Sequence, residues 1–187
     1  MLLRFALWIW FFAAVAAGHF LLLQRLPPAG VQGILFALTA LLLVAYFRVS
    51  AVRSAIDRLD LRAVVLLHVT RFVGFYFLEL YKRGELPYAF AVPGGWGDII
   101  VAGLAILVVF LPLTDPLRMR AISIWNVIGA IDILLVVATA ARLGLEDPMA
   151  MRALTYLPLS LLPTFLVPLI IASHVVIFVR LLRLPPE

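Results

Sequence analysis

What this chain can fold into is set first by six long apolar runs, at residues 5–23, 30–47, 63–81, 98–113, 121–141 and 160–182. A helix needs roughly 20 apolar residues to cross a bilayer, and most of the runs come near that length. A soluble domain of 187 residues cannot hide six of them, because small domains leave much of their surface exposed. Composition agrees: 65% of residues are hydrophobic and 13% charged, against about half and a quarter in a soluble domain. The expected fold is all-α, a polytopic integral membrane protein with one bundle of about six transmembrane helices. The fourth run is the shortest and is expected to cross steeply or to be partly re-entrant. The first, with Arg4 before it and small residues at 14–17, has the look of a signal peptide. It continues through His19 to Leu23, however, and that length favours a retained helix.

The net charge of +5 and pI near 10.2 do not imply nucleic acid. The basic residues stand singly at the ends of the apolar runs rather than in a patch, as anchoring to lipid headgroups requires. With the amino terminus inside, Arg4, Arg48, Arg53, Arg58, Arg62, Arg118, Arg120, Arg180 and Arg183 fall on the inner side. Arg25, Lys82, Arg83, Arg142 and Arg152 fall outside. That bias places both termini in the cytoplasm. Residues 53–62 alternate charge with apolar side chains and predict a short interfacial helix. The two halves show no convincing self-similarity, so an inverted repeat is not indicated. The chain has no cysteine, which excludes disulfides and thiolate metal sites on it. The expected surroundings are the bilayer, with other membrane subunits or a second copy as candidate partners.

Ionisable groups at membrane depth are costly and need a partner or a purpose. Arg71 lies near the middle of the third run and Asp132 near the middle of the fifth, at similar depth. Because a guanidinium keeps its proton, an Arg71–Asp132 pair is expected. Its role is either to lock two helices or to border a site. His68 shares a helical face with Arg71, and Gly129 shares one with Asp132. Asn126 lies one step round from that second face, and His174 lies mid-span in the sixth run. Together they are candidates for one polar cavity, although separate interhelical hydrogen bonds explain each of them singly.

The connection at 82–98 is too apolar for a plain loop and too rich in Pro and Gly for a helix. It predicts a folded cap dipping into the bundle mouth. Gly94, Gly95 and Gly97 would then aim backbone N–H groups at an anionic ligand. Asp98 would cap the fourth helix, with ligand contact as its alternative role.

Three segments carry a resemblance. The first, from Arg71 to Leu78, continues through Gly84, Leu86 and Pro87 to Phe90, Ala91, Pro93, Gly94, Gly97 and Asp98. The others are Trp125 to Asp132 and Pro163 to Pro168. They resemble a family of small bacterial multi-pass membrane proteins with no assigned activity, from about the third helix onward. The resemblance implies a bacterial inner-membrane protein and nothing about substrate.

The leading expectation is a non-enzymatic membrane protein. Arg71, Asp132, Asn126, His174, Gly94, Gly95, Gly97 and Asp98 would form a site that binds or moves a small solute, proton or lipid-like ligand. The first alternative is a haem or pigment protein, or an accessory subunit of a membrane redox or photosynthetic complex, with His68 and His174 as axial ligands. The second is an intramembrane metal-dependent enzyme using Asp98, Asp132 and His174. No His-Glu-x-x-His spacing or nucleophile elbow supports that second alternative.

Overall fold

A computed structural model describes residues 2–183, and among these every regular element is helical. Five helical stretches are long and apolar enough to cross a membrane: Ala29–Arg48, Leu61–Lys82, Tyr88–Phe110, Asp115–Glu146 and Leu162–Leu181. The expectation of six is not met. The first apolar helix, Leu3–His19, is shorter, about 26 Å at 1.5 Å per residue against a hydrocarbon core of about 30 Å. It ends before Leu23 because Leu21 turns into the left-handed region (φ 54°), and a tight 3₁₀ turn follows at Leu22–Arg25.

The chain forms two compact units, one ending at Arg58 and rejoined by Thr139–Leu169, the other comprising Leu59–Ala138 and the segment from Ile170. The first unit opens with α1 (Leu2–His19), α2 (Pro28–Arg48) and α3 (Ser50–Asp57). Pro27 is extended, and a proline at the first position of α2 starts that helix where its missing N–H costs nothing. On α1 the Trp10 indole donates to the Thr164 carbonyl at 2.9 Å, and its ring meets Phe165 edge-on. Both partners lie in a π-helical turn, Leu162–Leu166. The charged segment predicted as one helix at 53–62 is divided: α3 covers it only to Asp57, with no buried residue, and a separate helix begins at Leu61. Arg53 reaches back from α3 to the last carbonyls of α2.

The second unit contains α4 (Leu61–Leu66), a 3₁₀ stretch at Leu67–Val73, α5 (Gly74–Lys82) and α6 (Tyr88–Phe110). It also holds most of α7 (Asp115–Glu146) and α8 (Val167–Leu181). Its apolar core brings Val65, Val101, Ala105, Ile122, Trp125 and Ile177 together. Helix α5 stops in a Schellman turn: the N–H of Glu85 donates to Leu80 and that of Gly84 to Tyr81. Gly84 takes the left-handed φ of 73° that this turn requires. Only three residues, Glu85, Leu86 and Pro87, separate Gly84 from the start of α6.

The cap expected at 82–98 is therefore absent, and the fourth span is a full 23 residues rather than a short one. Pro93 sits in the second turn of α6 and faces outward, so it removes only the bond to the Ala89 carbonyl. The glycines are used for packing. A Cβ on Gly74 would collide with the Gly95 carbonyl oxygen, and one on Gly95 would sit 2.9 Å from the Gly74 carbonyl oxygen. Tertiary packing of this kind overrides helix propensity. At the other end of α6, Arg118 is buried and donates to the carbonyls of Val108, Val109, Leu111 and Leu113. The sequence reading placed this guanidinium among the inner-face anchors. In the structure it gathers the carbonyls of the last turn of α6 and of the turn that follows it.

Candidate functional site

The polar residues of the second unit converge on Arg71. Its position follows from the 3₁₀ stretch, whose three residues per turn stack His68 and Arg71 on one face. Arg71 is 1% exposed. Its Nε donates to Asp98 Oδ1 at 2.6 Å, one terminal nitrogen donates to Asp132 Oδ2, and the other donates to the Gly129 carbonyl at 3.0 Å. Asp132 meets Arg71 as expected from depth and charge. Asp98, expected at a helix cap, is instead a second carboxylate on the same guanidinium. Gly97 makes room for this arrangement, since a Cβ there would collide with the Asp132 carboxylate.

The site is thus one fixed cation between two carboxylates. The Asp98 side chain is 5% exposed and that of Asp132 is 21%. Asp132 is therefore the more accessible arm.

A second cluster lies beside the first through Gly129, where a Cβ would sit 2.8 Å from Cε1 of His174. The hydrogen bonds of this cluster fix both histidine tautomers. Ser173 has one hydroxyl proton, and the Ile170 carbonyl, which can only accept, takes it at 2.8 Å. The 3.0 Å contact between Ser173 Oγ and His68 Nε2 must then be donated by His68. The Asn126 amide nitrogen faces the His174 carbonyl, so its oxygen faces His174 Nδ1 at 2.7 Å and accepts from it. His68 consequently carries its proton on Nε2 and His174 on Nδ1. Among the described residues His68 Nδ1 has no hydrogen-bond partner, and His174 Nε2 lies beside Gly129.

The same geometry tests the haem alternative. An iron held by two imidazoles needs a macrocycle between them. Here the rings of His68 and His174 pack directly, centroids 4.4 Å apart, and Trp125 lies 4.8 Å from one and 5.6 Å from the other. Trp125 is itself pinned by its indole donating to the Val101 carbonyl. These residues do not fit a haem. Among the described residues no three His, Asp or Glu side chains converge at metal-ligand spacing.

Of the expected site residues, Arg71, Asp98 and Asp132 form one cluster, and His68, Asn126 and His174 form the next. Gly94, Gly95 and Gly97 do not form an anion nest, because they lie inside α6 with its backbone amides in the helix. Sequence reasoning missed the Arg71–Asp98 pair and the part played by Ser173. A signal for the first existed. Ala91, Gly94, Gly95, Asp98, Ala102 and Ala105 recur at helical spacing, and all of them are buried.

A family model described as a domain of unknown function (DUF8737) matches residues 28–182. No curated protein and no solved structure matches the chain.

Proposed function

We propose, for a chain that belongs to the DUF8737 family, that it is an integral membrane protein whose Arg71 cluster carries protons. The observation behind this reading is the ratio of two carboxylates to one cation. A purely structural ion pair needs one of each, whereas this cluster is a charge short with both aspartates ionised, and one proton balances it. Arg71 holds its own proton and keeps the two carboxylates close together. Asp132, the more accessible arm, is the exchanging group. The imidazoles of the neighbouring cluster, with the unpartnered His68 Nδ1 among their nitrogens, extend the path as acceptors.

The setting we propose is the bacterial inner membrane. Purified protein in liposomes loaded with a pH-sensitive dye tests the activity. Under an imposed membrane potential, wild-type vesicles should acidify faster than protein-free ones. Asp132→Asn should fall to the protein-free rate while keeping its thermal stability. Wild-type vesicles no faster than empty ones would refute the reading.

A further inference from the structure

The first unit contains a cavity of about 340 Å³ that the Arg71 cluster does not involve. It lies among helix ends: the Leu22–Arg25 turn, the opening turns of α2, the last turns of α7, and a 3₁₀ turn at Arg152–Thr155. Ends of apolar helices are where headgroups lie. The wall is mainly apolar, with Leu23, Val31, Met149 and Leu154, and the thioether of Met149 adapts to flexible chains. Its polar part is Gln24, Gln32, Arg152 and Thr155, whose hydroxyl donates to the Arg152 carbonyl. Arg152 lies over the Tyr156 ring at 5.3 Å. Among the described residues no carboxylate lines the cavity; Glu146 pairs with Arg142, and Asp147 accepts from the N–H groups of Met149 and Ala150. The lining thus combines a cation and two amides with an apolar wall.

We propose that this cavity binds one anionic phospholipid drawn from the bilayer. Arg152 takes the phosphate, with the amides of Gln24 and Gln32 as further donors. The glycerol and the first part of one acyl chain lie along Leu23, Val31, Met149 and Leu154. The volume is at the low end for a small-molecule site, so the rest of the lipid stays in the membrane. A water-soluble anion would gain nothing from the apolar wall, and a zwitterionic lipid would bring its own cation towards Arg152.

Gly144 supplies the test. It is buried in the cavity wall, yet a Cβ on it meets nothing within 4 Å. Gly144→Leu should therefore fill the cavity with the helix unchanged. Delipidated protein in neutral detergent would be titrated with phosphatidylglycerol, phosphatidylcholine or inorganic phosphate, followed by native mass spectrometry and thermal unfolding. Wild type should retain one phosphatidylglycerol and be stabilised by it. Binding should weaken about tenfold for phosphatidylcholine and for Arg152→Gln, the worth of one charge-assisted contact. Gly144→Leu should abolish retention while melting normally without lipid. Equal retention of the two lipids, unchanged binding in Gly144→Leu, or equal stabilisation by inorganic phosphate would each overturn the proposal. Should Gly144→Leu misfold, Arg152→Gln decides alone, because that residue is exposed and unchanged binding there would refute the role of the phosphate.

Discussion

Two carboxylates on one guanidinium make a specific prediction about mutational coupling. Replacing Asp98 or Asp132 alone with Asn leaves Arg71 paired one to one and keeps an amide oxygen in the old place. Each single change should cost at most about 1 kcal/mol, the scale of one exchanged hydrogen bond. Replacing both leaves a cation that cannot deprotonate, 1% exposed, with only amides and the Gly129 carbonyl around it. Two unit charges near 4 Å apart interact by about 4 kcal/mol at an effective dielectric constant of 20. Stranding one partner of a buried pair costs about 3–5 kcal/mol. The double mutant should therefore lose about 3–5 kcal/mol, well beyond the sum of the singles, a non-additivity expected only of groups sharing a partner. A loss of that size lowers the melting temperature by roughly 10 °C for a chain of this length. Thermal unfolding of the four proteins in one detergent completes the cycle. Additive losses, or a single Asp98→Asn as damaging as the double change, would show that the carboxylates do not share Arg71 in this way.

Gly97→Ala should destabilise by about 1–3 kcal/mol through overpacking against Asp132. Gly103→Ala, in the same helix with nothing within 4 Å of the new carbon, should be neutral or stabilising by up to about 1 kcal/mol; the same melts check both. Arg118→Met removes the donors to four carbonyls and should cost about 2–3 kcal/mol, with faster amide exchange localised at residues 105–113. Nitrogen-15 spectra of the three histidines, assigned with His19→Gln and His174→Gln, should show His68 protonated on Nε2 and His174 on Nδ1; the reverse tautomers would contradict the hydrogen bonding described.

The apolar runs and the cost of charge in lipid were enough to predict from the sequence alone a helical chain with Arg71 and Asp132 at matching depth. Helix length and burial of ions are one-dimensional constraints, and a sequence carries them directly. The residues at 82–98 misled that reading. Local propensity gives Pro93, Gly94, Gly95 and Gly97 to a loop, while close packing against Gly74 and Asp132 makes them helix. The placement of Asp98 follows from that one decision, and with it the two-to-one charge ratio at Arg71. The first span also ended early, because a left-handed Leu21 is a choice of backbone conformation that no apolar pattern encodes. Histidine tautomers depend on partners more than a hundred residues away in sequence for His68, and 48 away for His174. Only the folded chain brings those donors and acceptors within 3 Å of each other, so tertiary structure alone decides which nitrogen carries the proton.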